Sequence, residues 1–337
     1  MGGDHAPKAT VAGAVRAART LGVRVLLVGD RPQLEGELSR HVALPPGIEI
    51  VHAEAVIRMD EAPGPALLRE RGASIIVATD LVKESRASAV VSAGNSGAAM
   101  GAAILRLGLL PGVDRPAIAM LMPNRTGAVV LLDSGATVDP RPENLAEFAC
   151  MGAVYAQSLL HIEQPRVGLL NIGEEPSKGS PLIKQAHALL KELPLNFIGN
   201  VEGQHIAGGN VDVVVCDGFV GNTVLKGVEG YAELFWTMLK EHAAGGFRSR
   251  LGAWLLRPVL RGLAQQLDYA SYGGALLVGV NGICVIAHGR STPGAVQNAI
   301  RVAKELADQH VVRQLASSFR QADASPMGTA AGQQLDS

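Results

Sequence analysis

The chain has 337 residues, a formal net charge of −1, 47% hydrophobic residues, 40 glycines and only 4% aromatics. That length allows one large or two ordinary domains with a substantial core, and the composition is that of an Ala/Val/Leu/Gly-rich α/β enzyme. Near-neutrality gives no field to recruit nucleic acid, and no apolar run reaches the roughly 18 residues of a membrane span. With no signal peptide at its start, the sequence reads as soluble, or peripheral at most. Cys150, Cys216 and Cys284 lie far apart and without C-x-x-C spacing, so they read as reduced thiols in a cytoplasmic protein, not metal ligands or a disulfide set.

Met1-Gly2-Gly3-Asp4-His5-Ala6-Pro7 opens the chain as a glycine-rich loop with no strand ahead of it, although such turns in α/β proteins normally follow one. A helical run from Ala9 to Leu21 follows, then strands at Val23–Val28 and Ile48–Val51 and a helical stretch from Ala66 to Glu84, interrupted near Gly72. Next comes the stretch around which the chain is organised. The apolar run Ala89-Val90-Val91 breaks at Gly94-Asn95-Ser96-Gly97 and resumes as a helix through Leu107. Small residues at such a strand–helix turn let backbone N–H groups approach a ligand, and the helix dipole favours an anion there. The spacing G-x-x-G-x-x-x-G is not the dinucleotide fingerprint G-x-G-x-x-G, so no nicotinamide cofactor is indicated.

Further strands are expected at Ala117–Leu121, Val129–Leu132, Val167–Asn171, Asn196–Ile198 and Val211–Cys216, with helices from Pro142 to Leu160, from Pro181, and from Asn222 to about His242. Several of these strands run into polar small-residue loops, at 133–139, 172–180 and 217–222. In an open parallel sheet such loops gather at one edge and form a phosphate-competent cleft.

The segment 246–267 has a different pattern. Arg250, Arg257 and Arg261 share one helical face, while Phe247, Leu251, Trp254, Leu255 and Val259 cover much of the remainder, and Pro258 should kink or split the helix. It reads either as a core helix with a solvated basic edge or as an interfacial element that sets arginines against anionic headgroups. Two strand-like pieces within 276–287 and a helix from Pro293 to about Gln314 close the domain. The tail from about Ser318 should be disordered. The expected organisation is one α/β domain over 1–317, carrying an insertion at 243–271, and a tail at 318–337.

Nine histidines without H-E-x-x-H spacing argue against metal hydrolysis. Gly94-Asn95-Ser96-Gly97 is no G-x-S-x-G elbow, so Ser96 reads as an anion donor, and thiols in apolar runs are poor nucleophiles. What remains is the binding and positioning of an anionic substrate.

Taken in order, the opening Met1–Pro7 motif, Val91–Ala98, Asn171-Ile172-Gly173-Glu174-Glu175 with Lys178-Gly179, Val215–Asn222, Tyr272-Gly273-Gly274-Ala275, and Asn281-Gly282 with Ala287-His288-Gly289 resemble the bacterial phosphate acyltransferase (PlsX) family. The resemblance implies a homodimeric Rossmann-like α/β fold with a mostly parallel sheet, related to phosphotransacetylases and isopropylmalate dehydrogenases. It implies transfer of a long-chain acyl group from acyl carrier protein to inorganic phosphate for phospholipid synthesis, without metal or cofactor. It also implies that 246–267 is part of a protruding amphipathic helical pair at the inner face of the cell membrane, with the glycerol-phosphate acyltransferase as a possible neighbour.

Phosphate is nucleophilic at neutral pH and a thiolate leaves readily, so such an enzyme needs only to aim phosphate and stabilise the oxyanion. The amides of Gly94, Ser96 and Gly97 and of Gly173 and Gly179, with Lys178, are then expected to hold phosphate. Asn95, Asn222 and His5 are the expected oxyanion or orienting donors. Glu174, Gly218 and Lys184 complete the candidate set with Asp4 and Asp217, which alternatively cap or brace helix starts. Ser96 stands where the family commonly has Thr, and Thr137 where it usually has Asn, so Thr137 is given no role. The family's short apolar strand ahead of Met1 is absent from this sequence; a polypeptide lacking it would have an empty central sheet position, and a start codon placed too late is the simpler account. Competing readings are a phosphotransacetylase acting on short acyl-CoA, a β-decarboxylating dehydrogenase needing NAD and a metal, and an inactive membrane-bound scaffold.

Overall fold

The computed structural model describes residues 1–267 and 273–323. After the opening loop, α1 (Lys8–Leu21) buries Ala9, Gly13, Ala14, Ala17 and Ala18 and ends at Gly22 with φ 64°. Only a residue free of Cβ strain suits that left-handed stop. Strand β1 (Val25–Gly29) leads into α2 (Arg31–Leu38), an element the apolar pattern does not announce. Asp30 starts it by accepting the N–H of Gln33 at 3.1 Å. Strand β2 (Ile48–His52) follows, and helices α3 (Pro63–Arg69) and α4 (Ser74–Lys83) part around Gly72 as expected.

Strand β3 (Ala89–Ser92) and helix α5 (Ser96–Leu107) form the anticipated strand–turn–helix unit. Strands β4 (Ala117–Asn124) and β5 (Gly127–Leu132) make a hairpin, and α6 (Pro142–Leu160) runs through the middle of the molecule with Phe148, Met151 and Tyr155 fully buried. Then come β6 (Val167–Leu170), α7 (Pro181–Glu192), β7 (Phe197–Val201), α8 (Gly203–Gly208), β8 (Val213–Val215) and the long α9 (Gly218–Ala244). Helix α10 (Phe247–Leu267) packs beside α9, and it continues through Pro258 without splitting. Strands β9 (Ala275–Val278) and β10 (Ile283–Ile286) precede α11 (Pro293–Asp308) and α12 (Val311–Asp323).

Helix α12 corrects the expectation of disorder from Ser318. Its Ala/Ser/Gln content suggests a tail, but Val311, Leu315 and Phe319 recur at helical spacing and are buried, with α12 packed on α6. Residues 324–337, and Tyr272, lie outside the described residues.

The main sheet has the order β3-β10-β9-β4-β5-β8-β6-β7. Pairs β3/β10, β5/β8, β8/β6 and β6/β7 are parallel, whereas β10/β9, β9/β4 and β4/β5 are antiparallel. Its buried Val and Leu side chains pack against α6 and α11 in one continuous core, at about 1.5–3 kcal/mol for each large side chain removed from water. The three antiparallel pairings reverse the strand direction along the sheet, so β3 and β10 run opposite to β5, β8, β6 and β7. The strand-end loops therefore form two groups, which corrects the expectation that all gather at one edge.

Strands β1 and β2 pair in parallel as a separate two-stranded sheet. Between β1 and β3 lies an apolar cleft of about 580 Å³, lined by Val25–Val28, Ile75, Ala78, Ala89–Ser92, Val296 and Ile300. Among the described residues neither strand has a partner on this side. The amino group of Met1 sits at the carboxyl end of β1, 3.5 Å from the carbonyl of Val28, and burial lowers its pKa.

Candidate active site

The first loop group is a backbone junction built on glycine. A methyl on Gly2 would lie 2.6 Å from the Cα of Gly94, and one on Gly3 would lie 2.6 Å from the Ala93 carbonyl oxygen. Asp4 donates its N–H to the Gly289 carbonyl at 2.9 Å. The opening motif is thus held between the ends of β3 and β10, because only residues without side chains permit so close an approach. His5 and the Asp4 side chain are exposed beside this junction.

At the start of α5, the Asn95 side chain accepts the N–H of Ala98 at 3.0 Å. Its amide donates toward the carbonyls of Arg58, Met59 and Glu61 at 3.2, 3.4 and 3.1 Å. Both ends of this side chain are occupied, so Asn95 braces the 58–61 loop and is not free to stabilise an oxyanion. The first-turn N–H groups of Ser96 and Gly97 have no protein acceptor among the described residues, and Ser96 is exposed. That is the open end of a helix dipole with a hydroxyl beside it.

His288, at the end of β10, joins this group. Its Nδ1 accepts the N–H of Arg290 at 3.1 Å, which leaves Nε2 to carry the proton of the neutral ring. Burial, followed by the Lys226 cation, lowers its pKa below the ordinary histidine value, with Glu229 and Asp4 acting in the opposite sense. Lys226 of α9 is paired with Glu229 at 2.7 Å. Helix α9 thus carries charge from the second loop group toward the first.

That second group lies at the ends of β5, β8 and β6. Asp217 accepts the N–H of Val220 at 2.8 Å and caps α9, the bracing role left open for it. Gly218 has a packing reason, since a methyl there would lie 2.6 Å from Asp133 Oδ2. Asn222, one turn along α9, is exposed beside Gly135, where a methyl would come within 3.6 Å of its Cβ.

In the loop after β6, Gly179 has φ 91° and closes against Asn171, whose amide donates to the Lys178 carbonyl at 3.2 Å. A methyl on Gly173 would lie 2.8 Å from Glu175 Oε2. Glu174 is 3.4 Å from His205. Lys178 and Lys184 are exposed and, among the described residues, unpaired with any carboxylate. Five strands separate β3 from β6 in the sheet, so Lys178 and Gly94 are not neighbours at one strand end.

The thiols are ill suited to nucleophilic work. Burial pushes Cys150 up to about 11 and Cys284 up to about 12, and raises Cys216 as well.

A family model described as "Fatty acid synthesis protein" matches residues 1–314. A phosphate acyltransferase of Nostoc sp. is 51% identical over 95% of this chain and 94% of its own length. One of Heliobacterium modesticaldum is 50% identical over 93% of each. The chain belongs to this acyltransferase family. A solved phosphotransacetylase of Streptococcus pyogenes shares the fold, with TM-score 0.60 at 15% identity over 88% of this chain and 91% of its own.

Outside the loops, α9 and α10 expose an unusual amount of apolar surface for a pair of helices. Tyr231, Phe235 and Met238 on α9, and Leu251, Trp254, Leu255, Leu256 and Val259 on α10, are all exposed. Arg250 and Arg257 are exposed on α10, while the side chains of Phe247 and Arg261 lie outside what is described. No described helix is long and apolar enough to cross a membrane.

No motif in the sequence marks Lys226 or Glu229, and none gives His288 a role. Lys226 falls four residues after Asn222 and Glu229 three after that, so a helical projection from Asn222 was the available signal.

Proposed function

We propose that the protein transfers a long-chain acyl group from acyl carrier protein to inorganic phosphate, releasing the carrier thiol and forming acyl phosphate. The observation that carries this reading is the 51% identity to a phosphate acyltransferase over 95% of the chain. Phosphate docks at the start of α5, on the N–H groups of Ser96 and Gly97 and the Ser96 hydroxyl, where Gly94 keeps the backbone accessible. One phosphate oxygen attacks the thioester carbonyl, the tetrahedral oxyanion forms, and the C–S bond breaks to expel the thiolate. His5, exposed beside the same junction, and Asn222, one turn before Lys226 on the helix that approaches His288, have no side-chain hydrogen-bond partner among the described residues and are available to donate to that oxyanion, each such contact being worth about 3 kcal/mol. Lys178 and Lys184 supply positive charge at the other strand ends for the anionic substrates. The exposed apolar side chains and arginines of α10 support docking on an anionic membrane surface at its cytoplasmic face, and the protein acts as a homodimer.

The test is thiol release from palmitoyl-acyl carrier protein, with and without phosphate, beside palmitoyl-CoA. Phosphate-dependent release with acyl phosphate formed, and faster turnover of the carrier-bound substrate, is the expected result. Preference for a short acyl-CoA would replace the donor, and phosphate-independent or absent release would overturn the reading.

A further inference from the structure

Asp133 is the most completely enclosed carboxylate in the second loop group, and no step of the proposed reaction uses it. It has no exposed surface. Its Oδ1 accepts N–H groups of Ile118, Gly135 and Ala136 at 2.7, 3.1 and 3.0 Å, and its Oδ2 accepts those of Ala136 and Thr137 at 2.9 and 2.6 Å. Burial pushes this carboxyl above the usual carboxylate range, and the same N–H groups act against that shift. Such a set of donors suits an ionised, two-oxygen acceptor and not an amide, whose NH2 would face N–H groups.

The contacts reach across three strands. Ile118 belongs to β4, Asp133 follows β5, and its own N–H donates to the Cys216 carbonyl at 2.9 Å beyond β8. Thr137, held through its N–H by Asp133, accepts the N–H of Gly218 at 2.8 Å with its carbonyl. The first turn of α9 is pressed onto the same group, since methyls on Gly218 and Gly221 would strike Asp133 Oδ2 and its carbonyl oxygen at 2.6 and 1.9 Å. Gly135, in the turn that Asp133 ties, lies against Asn222.

We infer that Asp133 is a positioning residue: it locks the 134–137 turn to the first turn of α9 and thereby fixes Asn222 where the oxyanion forms. Its kinetic half rests on the reading of Asn222 as an oxyanion donor. Its structural half does not.

Four proteins test it: the parent, Asp133→Asn, Asn222→Ala and the double variant, each assayed for phosphate-dependent thiol release and amide exchange. Asn222→Ala should lower kcat about 100-fold with little change in KM. Asp133→Asn should lower kcat similarly, and in that background loss of the Asn222 amide should cost less than about threefold. A product near 10,000-fold in the double variant would overturn the inference, as would a folded Asp133→Asn with unchanged kcat.

Exchange gives a readout independent of chemistry. In Asp133→Asn the amides of Gly135, Ala136, Thr137 and Gly218 should lose protection together while those of β6 and β7 keep theirs. Loss confined to 135–137 would overturn the coupling to α9. An Asn222→Ala variant with parental kcat would remove Asn222 from the mechanism, and the exchange pattern would then decide the role of Asp133 alone. If Asp133→Asn does not fold, Gly218→Ala disturbs the same contact from the other side and should reproduce both effects.

Discussion

Replacing Gly221 by alanine puts two physical effects against each other inside one helix. Gly221 lies in the first turns of α9 and its φ is not left-handed, so helix propensity alone favours alanine by about 1 kcal/mol. The methyl, however, would lie 1.9 Å from the Asp133 carbonyl oxygen and 3.0 Å from Cys216 Sγ. Ordinary carbon–oxygen contact needs about 3.3 Å or more, so α9 must retreat by roughly 1.4 Å from the end of β5. Overpacking against side chains typically costs about 1–3 kcal/mol, and here the obstacle is backbone that cannot rotate away. With the cost at the top of that range, a net loss of about 2 kcal/mol is expected after the propensity gain. Gly227→Ala, in the same helix with nothing within 4 Å of the new methyl, is the matched comparison and should be neutral or stabilising by up to about 1 kcal/mol. Urea midpoints and melting temperatures of the two variants measure the difference, and thiol release should fall only in Gly221→Ala. Equal stability of the two variants would refute the reasoning.

Three other perturbations have definite outcomes. Burial of Asp212 would raise its pKa, but the Arg166 guanidinium at 2.8 Å and the Arg166 N–H outweigh it and hold the carboxyl below the usual range. Its stabilisation is therefore complete above the unfolded carboxylate pKa and fades as pH falls through the folded one. Asp212→Asn should lower the melting temperature at pH 7 and flatten its decline below about pH 4, and an unchanged acid slope would contradict this. Tyr155 is fully buried and its hydroxyl has no hydrogen-bond partner among the described residues, so Tyr155→Phe should leave stability unchanged or raise it by up to about 1 kcal/mol; denaturant melts showing a loss would refute it. Finally, about five apolar β-branched residues added ahead of Met1 could pair with the free edges of β1 and β3 and would remove the buried ammonium from the cleft. Such a chain should melt several degrees higher than one carrying a Gly/Ser extension of equal length, and equal melting would argue against strand pairing in the cleft.

Local pattern carried much of the architecture. The periodicity of α1, α6 and α7, the apolar runs of β3, β5 and β8, and the small-residue break at 94–97 are local properties, because neighbouring residues alone decide the helix face, the strand and the turn. The ordered motifs likewise carried the family. Elements α2 and α8 were not legible, since capping side chains and not apolar periodicity start them. Helix α12 was hidden by a tail-like composition whose spaced Val311, Leu315 and Phe319 matter only once α6 is there to receive them.

The site divides in the same way. That Gly2, Gly94, Asn95 and Asp217 matter could be read from the sequence, because turn chemistry and helix capping are short-range. What each does could not. Asn95 is spent on carbonyls 34 to 37 residues away, and Gly218 exists to admit a carboxylate from another strand. Strand direction is also set by pairing between distant segments, so a list of strand ends cannot say which loops meet. The sequence by itself determined most of the elements and the family. Only the tertiary structure decided that the loops form two groups, that α9 carries Lys226 toward His288, and that Asp133 holds a turn and a helix together, since long-range contacts alone fix those distances.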